Sequence, residues 1–207
     1  MEKNNLDKKG IVKAFTKHAE LLKEITTVLH TQLCISPEGG EVEEWQERKK
    51  ELIKMLRKMM GLYGFAADLP ANEVGLDAHV SISSMSNIQC SFQRIVILID
   101  SVYEQPFEEL YMDSLSAISD KVGEAIDVFH RMLVDYPENP SSIEEGTEQI
   151  AKIERAVDEE NIIISRQISV VTNGDAGFVC YIMRKVVREL EHITDYLKAC
   201  AESINEM

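Results

Sequence analysis

The chain has 207 residues, 44% of them apolar and 6% aromatic, enough to bury a substantial core as one large domain or two small ones. Its net charge of -14 repels phosphate backbones, and its lysines and arginines form no basic stripe with interleaved aromatics, which argues against nucleic acid as a partner. No apolar run reaches the length of a membrane span, Met1-Glu2-Lys3-Asn4-Asn5 lacks the apolar core of a signal peptide, and Cys34, Cys90, Cys180 and Cys200 form no CxxC pair; the expectation is a soluble cytoplasmic protein with buried free thiols, no thiolate zinc site and no direct membrane insertion.

Five prolines and ten glycines leave long stretches uninterrupted, which favours helices. Apolar spacing predicts a first helix over residues 11–33, with Ala14, Lys17, Leu21, Ile25, Val28 and Gln32 on one stripe, broken by Ser36-Pro37-Glu38-Gly39-Gly40. A second helix is predicted over 42–60, where Trp45, Leu52, Leu56, Met59 and Tyr63 keep a helical rhythm and Gly61 and Gly64 supply the stop. Residues 65–77, with Pro70 and Gly75, read as a loop, and a third helix follows over 82–102. Gln105-Pro106 ends the first half.

The fourth helix, 108–134, carries Leu110, Leu115, Ile118, Val122, Ile126, Phe129 and Leu133, and Tyr136-Pro137 stops it. Ser141-Ser142-Ile143-Glu144-Glu145 offers two overlapping capping boxes for a fifth helix, whose stripe is Ile150, Ile153, Val157, Asn161, Ile164, Ile168 and Val171. Asn173-Gly174 closes it. Asp175 is the expected N-cap of a sixth helix running to about Ser203, with Val179, Ile182, Val186, Leu190, Ile193, Leu197, Cys200 and Ile204 on its buried face.

Six helices and no convincing strand make an all-α bundle, divided by length into two three-helix units, 1–105 and 106–207, that together form one compact domain. Setting Ile88 against Leu190 makes Gln89 and Gln93 the amide counterparts of Glu191 and Asp195. Lys49 and Ile53 then stand opposite Glu154 and Asp158, so the first unit is motif-degenerate.

Four Glu-x-x-x-Asp pairs occur, where chance placement gives about one. Glu73/Asp77 falls in the expected loop, and Glu109/Asp113 opens a helix whose dipole favours acids there. Glu154/Asp158 and Glu191/Asp195 differ: both sit mid-helix, one residue past an apolar seam position, so their carboxylates flank the core from one helix face each. Packed antiparallel, the fifth and sixth helices bring four carboxylates together. Such a cluster repels itself and loses hydration, and a metal ion neutralises it: oxygen donors suit magnesium, calcium, manganese or iron, and four carboxylates can also hold zinc. The plainer reading is an exposed acidic flank neutralised by Arg155 and Arg188.

The phrase Arg188-Glu189-Leu190-Glu191-His192-Ile193-Thr194-Asp195 resembles the final helix of the PhoU-like phosphate-uptake regulators, including the shorter relatives encoded beside Pit-type phosphate transporters, and residues 150–158 resemble the preceding motif helix. The resemblance implies a PhoU-like bundle of two three-helix units. It further implies iron or zinc, singly or as a multinuclear cluster, on Glu154, Asp158, Glu191 and Asp195. By the same resemblance, the protein is a non-enzymatic regulator or accessory of phosphate transport. Its partner is then a phosphate transporter or signalling protein at the membrane, and homo-oligomers are expected. Because the first unit lacks the acids, one metal site per chain is expected, with that unit left as a packing or docking surface.

Two alternatives come from the same residues. Glu189-x-x-His192 is the element that ferritin-like di-iron oxidases use twice, and Asp127-x-x-His130 is the nearest second copy here. The other alternative is a metal-free helical interaction module. Nine methionines fall on helical stripes and read as core, and Arg184, Lys185 and Arg188 read as a solvated basic face.

Overall fold

The computed structural model describes residues 7–34, 42–102, 109–171 and 177–207, and these form seven helices with no strand among them. In chain order they are α1 Lys8–Cys34, α2 Val42–Met59, the short α3 Gly61–Ala66, α4 Glu73–Asp100, α5 Glu109–Asp135, α6 Ser142–Val171 and α7 Phe178–Glu206. The all-α bundle read from the sequence is the architecture observed. None of the described helices is long and apolar enough to cross a membrane.

The most extensive helix pairings join elements far apart in sequence. α1 lies antiparallel to α5, with Lys23 on Asp127 and His30 between Ser119 and Asp120. α4 lies antiparallel to α7, where the Ser81 hydroxyl donates to the Cys200 carbonyl, the Cys200 thiol donates to the Ser81 carbonyl, and Arg94 meets Glu189. Small side chains at the first of these crossings let the two backbones approach. α5, α6 and α7 follow one another as antiparallel neighbours: the Ser142 hydroxyl donates to the Met132 carbonyl and the Thr147 hydroxyl to the Ala201 carbonyl. One continuous core results, built on Trp45, Phe15, Phe92 and Phe129 and a majority of aliphatic side chains, each worth about 1.5–3 kcal/mol on burial.

The buried faces of α5, α6 and α7 follow the expected stripes wherever their side chains are described, whereas α1 is rotated. The expected Ile25 and Gln32 are buried, but beside them the buried positions include Ile11, Phe15, Leu22, Leu29 and Leu33, while Lys17 is exposed and Ala14, Leu21 and Val28 only border the core. The seven-residue run Phe15, Leu22, Leu29 holds the bulkier side chains, and these, not Ala14 and Lys17, turn inward against α5.

The expected loop over 65–77 is shorter than read. Gly61 and Gly64 lie inside α3 instead of ending α2, and α4 begins at Glu73, capped by Asn72, whose side-chain oxygen accepts the Gly75 amide at 3.0 Å. Glu73 and Asp77 therefore occupy the first turns of a helix. Gly75 is no breaker but a point of close approach, since a Cβ there would stand 1.8 Å from the Pro70 carbonyl oxygen.

α6 starts at the expected place by other bonds. Neither serine hydroxyl caps an amide: the Ser141 hydroxyl donates to the Glu145 carboxylate with Asn139 Oδ1 as its alternative acceptor, and Ser142 ties the helix to α5. α7 begins at Phe178 with Gly177 in the cap position and no side-chain cap, and runs to Glu206. Asp175, the break after residue 34, the 173–174 cap and Gln105-Pro106 lie outside the described residues, as does the Cys34 side chain. Cys180 and Cys200 are buried, and burial pushes the Cys200 thiol far above its usual range. Cys90, expected inside, is exposed, because the α4 seam of Met85, Ile88, Phe92 and Ile95 turns it outward.

Candidate metal centre

α6 and α7 run antiparallel with Ile153, Val157, Leu190, Ile193 and Leu197 buried between them and their neighbours, which sets the flanking acids at the edge of the seam. Glu154 and Asp158, one turn apart on α6, meet Asp195 of α7, and one oxygen from each of the three lies within 4.8 Å of the others. Glu154 is buried at 8% exposure, Asp158 is intermediate and Asp195 faces solvent, so the group opens outward from a buried base. Glu191, the fourth expected member, stands beside the triad and not in it. Its carboxylate accepts a hydrogen bond from the Asn161 amide, a residue two turns along α6 from Glu154.

Charge accumulates here without full compensation. Burial raises the Asp158 carboxyl above its usual range, with repulsion from Glu154 adding and Lys198 opposing. Burial likewise raises Glu191, helped by Asp158 and Asp195 and opposed by His192 and Arg188. Asp195 is raised by burial, then by Asp158 and Glu154. Among the described residues, the one salt bridge into the triad is Lys198 Nζ to Glu154 Oε1 at 3.2 Å. The second Glu154 oxygen, Oε2, is buried and has no hydrogen-bond partner among the described residues. A buried carboxylate oxygen left unsatisfied is uncommon and costly.

The neutralising role expected of Arg155 falls instead to Lys198. Arg155 is exposed, whereas Lys198 stands three residues after Asp195 and seven after Glu191, the i+3 and i+7 spacing that puts it on the acidic face. That spacing was present in the sequence, as was Asn161 on the α6 stripe.

Among the described residues, the carboxylates gather on α6 and α7 alone. In the first half Gln89 is buried and its amide donates to the Leu56 carbonyl at 2.8 Å, tying α4 to the α2 backbone, while Gln93 is exposed. Lys49 pairs with Asp100 at 2.6 Å, and with the Trp45 indole donating to the same carboxylate this holds Asp100 below its usual range. Ile53 is intermediate in burial.

The two Glu-x-x-His-like elements face different helices. Glu189 turns to Arg94 of α4, with His192 Nδ1 3.8 Å from it, buried and without a hydrogen bond. Asp127 pairs with Lys23 of α1, and His130 lines a cleft between α1, α2 and α5.

Three carboxylates that run from buried to exposed, one with an orphaned oxygen, are a donor set for a hard or borderline cation of the kind oxygen ligands hold. No family model and no curated protein matches this chain.

Proposed function

We propose that this protein is a non-enzymatic, metal-binding regulator or accessory of phosphate transport, PhoU-like in design, that works in the cytoplasm against a transporter or signalling protein at the membrane. The observation that carries the reading is the meeting of Glu154, Asp158 and Asp195, together with a buried Glu154 Oε2 that has no hydrogen-bond partner among the described residues. The all-α architecture and the resemblance of residues 188–195 to the PhoU-like final helix support the phosphate assignment. Iron or zinc would be held by Glu154, Asp158 and Asp195, with Glu191 joining once released from Asn161, and a multinuclear cluster would use the free oxygens of all four. The ion supplies positive charge to a site that otherwise repels itself, so occupancy would tie α6 to α7 and give the bundle two states for a partner to read.

Elemental analysis of purified protein tests this directly. Transition metal is expected, lost in the double variant Glu154→Gln with Asp195→Asn at unchanged helicity, and retained in Gln89→Ala with Gln93→Ala. If iron is bound, no oxygen consumption is expected, because Glu189 and Asp127 sit against different helices.

The Lys198–Glu154 pair favours a second reading, a metal-free interaction module in which an ammonium already balances part of the cluster. Protein that stays metal-free after preparation in iron- and zinc-supplemented medium decides for it.

A further inference from the structure

The end of the bundle where α6 finishes and α7 starts has a surface unlike the rest of the chain. Among its described residues, Val170 is 77% exposed and Phe178 63%, with Ile162, Ile163 and Tyr181 each near half-exposed. On α7, Phe178, Tyr181, Lys185 and Arg188 follow at steps of three and four and so share one face, and the Lys185 ammonium lies over the Tyr181 ring at 5.5 Å. On α6, Arg166 stands between Ile163 and Val170 on a common stripe. Monomeric surfaces rarely gather so many large apolar side chains at one end.

Charge is segregated in the same place. Residues 162–188 contain Arg166, Arg184, Lys185 and Arg188 against a single acid, Asp175, a local net charge of +3 in a chain of -14. None of the four cations forms a salt bridge among the described residues, whereas Lys23, Arg48, Lys49, Arg94 and Lys198 elsewhere each have an acidic partner. We infer that this end of the α6–α7 hairpin docks on an anionic lipid surface, with Phe178, Tyr181, Val170 and the α6 isoleucines entering the headgroup region and the four cations meeting lipid phosphates. Amphipathic apolar and basic side chains on one surface are what such an interface binds. The acidic remainder of the molecule is repelled by the same surface, so the two effects together stand the bundle on end. The exposed apolar residues are spread over both helices and alternate with the cations, a mixture of apolar and basic groups that suits a lipid surface. The chain rests on the bilayer and does not cross it.

Co-sedimentation of the full chain with vesicles tests this, comparing pure phosphatidylcholine with phosphatidylcholine containing phosphatidylglycerol. Binding is expected only to the anionic vesicles and is expected to fall steeply as salt is raised. Arg184→Gln and Lys185→Gln should each weaken it by about fivefold, and Lys185→Arg should leave it unchanged. Phe178→Ser, at a position too exposed to matter for folding, should weaken it by about tenfold. Binding to neutral vesicles as strong as to anionic ones, absence of binding to either, or indifference to all of these substitutions overturns the inference. A dimer dissociated by Phe178→Ser without any vesicle binding would also overturn it and assign the face to a second copy of the chain. The metal reading is separable: Asp195→Asn should bind vesicles like the unaltered protein, and loss of vesicle binding with metal retained would sink this inference alone.

Discussion

Neutralising Asp195 should make the metal-free protein more stable and the metal-loaded protein less so. Its carboxylate has an oxygen within 4.8 Å of oxygens from both Glu154 and Asp158. At that distance two unit charges repel by about 0.9 kcal/mol in water and by about 3.5 kcal/mol at an effective dielectric of 20. Asp195 is exposed and Lys198 lies nearby, so the lower end applies, and Asp195→Asn should relieve about 1 kcal/mol. In a chain of 207 residues that raises the thermal midpoint by about 2–4 °C. Asparagine keeps the shape, so no cavity offsets the gain. The assay is thermal unfolding followed by helical circular dichroism, in chelator and again with excess zinc. In chelator the variant should melt above the unaltered protein. With zinc the order should reverse, because at a hundredfold excess over Kd the ion adds about 2.7 kcal/mol to the chain that binds it and little to the other. A variant that melts lower in chelator with its helicity intact would refute the picture of Asp195 as one member of a self-repelling group.

The pH dependence follows from the same carboxylates. Asp158, Glu191 and Asp195 are raised above their ordinary values of 3.8, 4.5 and 3.8, so the folded chain holds protons that the unfolded chain has released, and metal-free stability falls as pH climbs through that interval. Urea unfolding in chelator should therefore give a higher midpoint near pH 4.5, at the foot of that interval, than at pH 7.5, and bound metal should abolish or reverse the difference, since protons compete for its ligands. Two glycines should respond to alanine with opposite signs. A Cβ at Gly146 would stand 2.6 Å from the Met132 Cβ and should cost about 1–3 kcal/mol, less the helix-propensity gain, whereas at Gly123 the nearest atom is Thr26 Cγ2 at 3.7 Å and about 0.5–1 kcal/mol of stabilisation is expected. Equal midpoints for the two variants would contradict the packing of α6 on α5.

What the sequence revealed and what it concealed separate along a physical line. Strong apolar periodicity located α5, α6 and α7 and placed Glu154, Asp158, Glu191 and Asp195 beside their seams, because a helix face is a purely local consequence of spacing. The rotation of α1 depended on which neighbour offered room for Phe15, Leu22 and Leu29, and that neighbour is α5, far along the chain. The Ser141 and Ser142 boxes located the start of α6 but not its bonds: the hydroxyls donate to Glu145 and to the Met132 carbonyl, the latter supplied only by tertiary packing, and accept no amide. Gly75 looked like a helix breaker until the approach of the Pro70 carbonyl gave it a reason to be there. Lys198 and Asn161 were legible as members of the acidic face, yet which cation and which amide reach inward is decided by side-chain length across the α6–α7 interface.

The pairing of α1 with α5 and of α4 with α7 governs when this protein can fold. His30 waits for Ser119, 89 residues later, and Ser81 waits for Cys200, 119 residues later. At translation speeds of about 5–20 residues per second, those intervals are roughly 5–25 s during which α1 and α4 have been synthesised but their principal partners have not. The inner faces carrying Phe15, Leu22, Ile88 and Phe92 must spend that time in non-native contacts or on a chaperone. Closure of the core therefore awaits α7, with high contact order and correspondingly slow kinetics for an all-helical protein.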